Sequence, residues 1–258
     1  MSGPSTPSQS ADQYQDWEKA YLDSLGQNPN SPRFKRSRLE KFLRRMHRRV
    51  FHPEDFFLRR VSGIIHVGAH VGQECDRYAE NGLNVLWIEP NPKIFQTLSK
   101  ALRLYPKQKA LSYLVADADD KDFSLHISSN TGASSSIFEF GAHKEIWPGV
   151  TFTEMIPLKS ITLSSLLKRE HVSLSLYDAL VMDTQGAELL VLKGAADVLG
   201  SFKFIKTEAA DFEVYKGCCK LADLDLYLTA HQFTRVHMKR FAHKCGVGSC
   251  FDVIYSHI

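Results

Sequence analysis

The segment from Ile64 to Glu89 limits the fold of this 258-residue chain more than any other. Ile64-Ile-His-Val67 is an apolar strand, Gly68-Ala-His-Val-Gly72 follows it, residues 72–80 carry a helical pattern, and a second apolar strand, Val85-Leu-Trp-Ile88, ends at Glu89. Strand, glycine turn, helix, strand and acid in that order describe a parallel βαβ unit with a crevice outside the carboxyl ends of its strands. The glycines leave bare backbone beside whatever occupies that crevice. Their spacing is Gly-x-x-x-Gly rather than the Gly-x-Gly-x-x-Gly that grips a dinucleotide pyrophosphate, which counts against a nicotinamide enzyme.

The alternation continues downstream. Further strands are predicted at Ala110–Val115, Ala179–Met182, Phe204–Thr207, Thr234–Met238 and Phe251–Tyr255, with helices around 92–104, 187–199 and 220–231. Seven strands interleaved with helices give an α/β fold, a doubly wound, mostly parallel, Rossmann-like sheet over residues 61–258. Residues 122–163 break the regularity. There Phe123–Ile127 and Ile156–Ile161 read as extra strands around a Ser-rich loop, the kind of insertion where such folds meet their substrates.

Ahead of the domain, residues 1–15 are rich in Ser, Pro, Gln and Asp and read as a disordered tail. Residues 16–60 read as a helical, basic N-terminal extension. Within it, Leu39, Phe42, Leu43, Met46 and Val50 recur at helical steps, which predicts an amphipathic helix over 33–51. Eleven Lys and Arg against three acids give residues 33–60 a charge of +8 and leave −5 on the remainder, although the whole chain carries only +3. Such a helix packs its apolar stripe on the domain and leaves its basic face to solvent, or offers that face to an anionic partner. Nucleic acid is the least favoured partner, because no aromatic interleaving or binding motif accompanies the charge. With no run of 18 apolar residues and no secretory leader, the expected location is the cytoplasm, and the five cysteines are expected as reduced thiols.

The candidate chemistry sits at strand ends. Glu89 is placed to accept hydrogen bonds from both hydroxyls of a ribose, and Asp117, after the third strand, to accept an adenine amino group. Asp183 follows Ala179–Met182 and Glu208 follows Phe204–Thr207, so both carboxylates emerge at the same sheet edge. They are candidates to orient an acceptor, to act as a base, or to hold a divalent ion, for which two carboxylates alone are too few ligands. Glu188, at the start of a helix, either caps it or joins the site. His143, with Glu145 two residues on, is the candidate general base among the histidines.

Five segments together are more specific than the glycine turn: Ile65-His-Val-Gly-Ala-His-Val-Gly-Gln-Glu74, Trp87-Ile-Glu-Pro-Asn-Pro92, Ser129-Asn-Thr-Gly-Ala-Ser-Ser-Ser-Ile137, Met182-Asp-Thr-Gln-Gly-Ala-Glu-Leu189 and Val191-Leu-Lys-Gly-Ala195. On them, residues 61–258 resemble the FkbM-type methyltransferases, in the branch whose first motif reads His-Val-Gly-Ala-His. The resemblance implies a class I methyltransferase fold that uses S-adenosylmethionine. It also implies a cofactor shell of His66, Gly68, Ala69, His70, Gly72, Glu89 and Asp183, to which the place of Asp117 after the third strand adds that residue. Asn130, Ser134 and Ser135 of the hydroxyl-rich loop, with Glu188, would then face the acceptor. The implied reaction is methylation of an oxygen, on a sugar hydroxyl of a glycan or on a small natural product. One departure concerns the first motif, since many members carry an acid at the position of His66 and an asparagine at that of His70. The contact of His66 therefore cannot be copied from them, and a buried core histidine is its alternative. Two other readings stand beside this one, a dehydrogenase on the same fold and a binding module that has lost turnover.

Overall fold

The computed structural model describes residues 53–258. The N-terminal tail, the short helix expected near 16–26 and the basic helix 33–51 lie outside the described residues.

Ten strands follow one another along the chain: β1 Gly63–Val67, β2 Asn84–Ile88, β3 Gln108–Leu111, β4 Leu114–Val115, β5 Asp122–Ser128, β6 Phe152–Ile161, β7 Ala179–Met182, β8 Phe204–Ala210, β9 Phe233–Lys244 and β10 Gly248–His257. Seven of them form one sheet in the order β3-β2-β1-β7-β8-β10-β9. The first five run parallel, and β10 is antiparallel to both β8 and β9. This is the expected doubly wound, mostly parallel α/β sheet. The chain order reverses at β1, which has β2 on one side and β7 on the other, so a crevice opens where the connections leave in opposite directions.

Period-two alternation explains why both faces are covered. Ile65, Leu86, Leu180 and Ile205 enter one buried cluster. Ile64, Val85, Ala179 and Phe204 enter the cluster on the other side. Strands buried on both faces read as continuous apolar runs, the pattern that β1, β2 and β7 show in sequence. The second cluster also takes in Phe57 and Leu58 from a 3-10 turn at Pro53–Arg59, so the packed unit begins a few residues ahead of the expected boundary at 61. The helix after β2, Pro92–Leu102, starts with proline at its first position, and Asn91 Oδ1 accepts from the Lys93 amide at 3.0 Å, an N-cap that fixes where the chain turns away from the strand.

The third strand departs from expectation. It leaves the main sheet at Leu111, and Leu114–Val115 pair instead with Ser160–Ile161 of β6, which in turn runs antiparallel to β5. A three-stranded sheet, β4-β6-β5, thus anchors the 122–163 insertion beside the carboxyl edge of β3. Pairing partners, invisible to a linear apolar pattern, decided where that strand ends.

Candidate active site

The turn after β1 is held against β7. Gly68 has φ +81°, and a Cβ there would lie 1.9 Å from the Asp183 carbonyl oxygen. At Gly72, φ +74°, a Cβ would lie 2.6 Å from Cys75 Sγ. At Gly68 the close approach of the β7 backbone requires glycine in addition to the positive φ, whereas at Gly72 the close atoms belong to side chains.

Glu89, buried at the end of β2, receives one backbone amide on each oxygen, from Asn91 on Oε1 and from His70 on Oε2, both at 2.8 Å. Each oxygen keeps acceptor capacity for a second donor. Burial pushes this carboxyl up to about 8, against the pull of the two amides. His70 itself adopts φ +46°. Its Nε2 lies 2.9 Å from the Thr131 carbonyl oxygen and its Nδ1 2.8 Å from the Gln73 side-chain amide. Because a carbonyl only accepts, this network assigns the proton to Nε2 and leaves the ring neutral, in line with the downward shift that burial imposes. The glycine turn is thereby tied to the hydroxyl-rich loop.

Between them lies a cleft of about 650 Å³, counting space open to solvent, bordered by Gly68, His70, Glu89, Ser135, Asp183 and Gln185. Asp183 Oδ1 accepts from Gln185 Nε2 at 2.5 Å. Burial pushes the Asp183 carboxyl up to about 7, with the negative charge of Glu188 adding to it and the Gln185 bond opposing. Glu208 borders an adjoining pocket in which Gln185 also takes part. Its carboxyl is raised well above the ordinary range by burial and then by the charge on Asp183. Three non-glycine residues around the cleft, His70, Thr131 and Gln185, hold positive φ, and backbone strain of this kind collects where a ligand is to be met.

Other expected site residues are placed elsewhere or otherwise engaged. His66 is a core histidine: it stacks on Trp87 with centroids 4.8 Å apart, meets the Tyr78 hydroxyl at 3.3 Å and is pushed down to about 4 by burial. Alternation along β1 turns it to the face opposite Val67, which borders the cleft. Ala69 is packed in the same cluster as Trp87. Asp117 does not border the cleft, because the chain has already turned into β4; its carboxylate lies 3.5 Å from Lys121 Nζ. Asn130 and Ser134 fold their own loop, Asn130 accepting from Ser128 Oγ at 2.6 Å and donating to Ser134 Oγ at 2.9 Å, whereas Ser135 reaches the cleft. Glu188 takes the amides of Thr184 and Gly186 at 2.9 and 3.0 Å, so it clamps the loop after β7. His143 is buried among Phe140, Trp147 and Tyr215, pushed down to about 4 by burial, and Glu145 pairs with Lys244 at 2.8 Å instead of orienting it. Neither residue of that pair is therefore set up as a base. Among the described residues, no group of three or more His, Cys, Asp or Glu is disposed to hold a metal ion.

Sequence reasoning missed Gln185 and Tyr215, whose hydroxyl donates to Gln185 Oε1 at 2.6 Å. Gln185 stands inside one of the recognised motifs, yet its role depends on a positive φ and on a tyrosine 30 residues away, neither of which a linear pattern reveals.

The profile of the FkbM methyltransferase domain matches residues 66–244, well over half of the chain and the whole of the cleft. The chain belongs to the FkbM methyltransferase family. Among solved structures, this FkbM domain is similar to the magnesium protoporphyrin IX methyltransferase of Synechocystis with bound S-adenosylmethionine, at 10% identity and TM-score 0.44, covering 99% of this chain and 100% of that one. It is also similar to the N-methyltransferase NodS of Bradyrhizobium japonicum in complex with S-adenosylhomocysteine, at 9% identity and TM-score 0.43, covering 93% and 98%. No curated protein matches the sequence. Among the described residues of the methyltransferase, no helix is long and apolar enough to cross a membrane.

Proposed function

We propose that this FkbM methyltransferase binds S-adenosylmethionine in the cleft between β1, β2 and β7 and transfers its methyl group to a hydroxyl oxygen. Glu89 carries the reading. It is a buried carboxyl at the end of the second strand, oriented by two backbone amides and with acceptor capacity left on both oxygens, which fits the paired hydroxyls of a ribose. The bare turn at Gly68 and the apolar wall at Ile94 and Val115 suit the rest of an adenosyl group.

When bound, the cofactor supplies an electrophilic methyl: the acceptor oxygen's lone pair forms the new C–O bond while the C–S pair stays on sulfur. The chain's own task is alignment and removal of one proton. Asp183 borders the cleft, and its carboxyl, held near 7, is poised to take the hydroxyl proton at neutral pH. Gln185 fixes the position of Oδ1. Burial, and then the charge on Asp183, push the Glu208 carboxyl towards its neutral form, which disfavours it as a second base, the pattern of two acids whose surroundings set them apart. The acceptor classes that the family resemblance implies are a glycan hydroxyl and a small natural product.

The test is calorimetric titration with S-adenosylhomocysteine and, separately, with NAD, followed by incubation with labelled S-adenosylmethionine and candidate acceptors. Binding of the homocysteine product, with label appearing in an acceptor as a base-stable ether, is expected. Tight binding of NAD without S-adenosylhomocysteine would return the dehydrogenase reading, and binding without turnover on any acceptor would favour the module that has lost activity.

A further inference from the structure

A second pocket adjoins the cleft, and Gln185 borders both. It encloses about 500 Å³, counting space open to solvent, which is the size of a small-molecule site. Its walls include Trp147, Val214, Leu224, Phe241, Cys218 and Cys219, drawn from the insertion, from the loop and helix after β8 and from the β9-β10 hairpin. These are poor hydrogen-bonding surfaces. The polar groups that reach the pocket are nearly all engaged within the protein. Tyr215 donates to Gln185, Gln185 donates to Asp183, and Glu188 is closed on Thr184 and Gly186. The exceptions are the indole N–H of Trp147 and Glu208, a half-buried carboxyl with no side-chain hydrogen bond among the described residues.

We propose that this second pocket receives the methyl acceptor, and that the acceptor is a neutral molecule with an apolar body and a single hydroxyl directed at Glu208. The inference rests on the methyltransferase reading above and chooses between the two acceptor classes it left open. A sugar ring would bring several hydroxyls into the pocket, and each needs a partner once it is taken out of water. Apart from the lone Trp147 indole N–H, the walls offer one unengaged polar group, the Glu208 carboxyl. An aromatic or aliphatic alcohol satisfies that group and leaves the remaining wall to apolar contact. Burial, then the charges of Asp183, Asp252 and Glu188, with Lys206 opposing them, push the Glu208 carboxyl towards its neutral form, which both donates to and accepts from a neutral hydroxyl. Gln185, spanning from Asp183 to Tyr215, then stands where the acceptor oxygen and the proposed base come together.

The full chain, saturated with S-adenosylhomocysteine, is titrated calorimetrically with 2-naphthol, with its methyl ether and with methyl α-glucoside. 2-Naphthol is expected to bind at least about tenfold more tightly than the glucoside. Val214→Trp, which fills the pocket, is expected to weaken 2-naphthol by about tenfold or more while S-adenosylhomocysteine affinity stays within about twofold. Should Val214→Trp lose S-adenosylhomocysteine binding, and so report a misfolded chain, Cys218→Phe serves the same purpose. Glu208→Leu is expected to weaken 2-naphthol more than the ether, which can accept from the neutral carboxyl but has no proton to give back to it. Glucoside binding as tight as that of 2-naphthol, 2-naphthol binding indifferent to the pocket-filling change, or equal losses for alcohol and ether at Glu208→Leu would each overturn the proposal. A wild-type chain that fails to bind S-adenosylhomocysteine at all would sink the cofactor reading instead, so the two failures are distinguishable.

Discussion

Replacing Glu89 with glutamine keeps its size and changes only what it can accept. In the wild type, two backbone amides donate to the carboxylate at 2.8 Å, and the cofactor reading adds two ribose hydroxyls, four donors in all converging on an acceptor-only group. A glutamine amide turns one oxygen into a donor, so one amide and one hydroxyl lose their acceptor and the other pair loses its charge assistance. At about 1.5–3 kcal/mol for a charge-assisted bond to ligand and about 1 kcal/mol for the weakened one, the loss is about 3 kcal/mol, roughly two orders of magnitude in Kd. A pH signature accompanies it. Four donors require the ionised form, whereas burial holds the carboxyl of the ligand-free protein near 8. Binding must therefore release a proton, and affinity should rise about tenfold per pH unit up to about 8 and then level off. In the ligand-free fold the sign is opposite: a carboxyl raised from about 4.5 to about 8 contributes stability below the lower value that is lost as pH climbs through the upper one. Calorimetry with S-adenosylhomocysteine from pH 6 to 9, in two buffers of different ionisation heat, measures affinity and proton release together. A flat wild-type profile and an unchanged Kd in Glu89→Gln would refute the reasoning.

Asp183→Asn should lower the methylation rate about 100- to 10,000-fold with S-adenosylhomocysteine affinity nearly retained, and the wild-type rate should rise with pH through about 7, where the base becomes ionised; full activity in the variant removes the role. Gly68→Ala brings a Cβ to 1.9 Å from the Asp183 carbonyl oxygen at a φ of +81°, so a loss of more than about 2 kcal/mol is expected in urea melts, and wild-type stability would contradict it. His66 is buried in neutral form and pushed down to about 4 from 6.5, so the folded state binds fewer protons and stability should fall as pH drops between those values, by on the order of 3 kcal/mol. His66→Phe should flatten that acid limb; parallel denaturation curves for the two proteins would show that the histidine does not carry it.

The sheet was legible because β1, β2 and β7 are buried on both faces and so announce themselves as near-continuous apolar runs. That Glu89 and Asp183 border the cleft was legible because an acid directly after such a run has one place to go. What failed to show was orientation. His66 lies on a strand that enters the site, but period-two alternation turns it into the core against Trp87. Asp117 was tied to a third strand that in fact leaves the sheet after Leu111 and pairs with β6, a non-local choice. The Ser-rich loop read as a supply of donors, yet Asn130 and Ser134 engage each other to hold its shape. His143 had the right titration range in isolation, and burial among three aromatic rings removed it.

Gln185 is where two halves touch. The half around Glu89 is cut from the ends of β1, β2 and β7, strands that carry the core and cannot shift without unfolding it. The other half takes Glu208, Ala209 and Ala210 from β8, but Trp147, Val214 and Phe241 come from loops and from the edge strand β9. On the proposed assignment of the two pockets, drift can reshape the acceptor site while the donor site stays fixed, so relatives with matching glycine turns should differ most at Trp147, Val214 and Phe241.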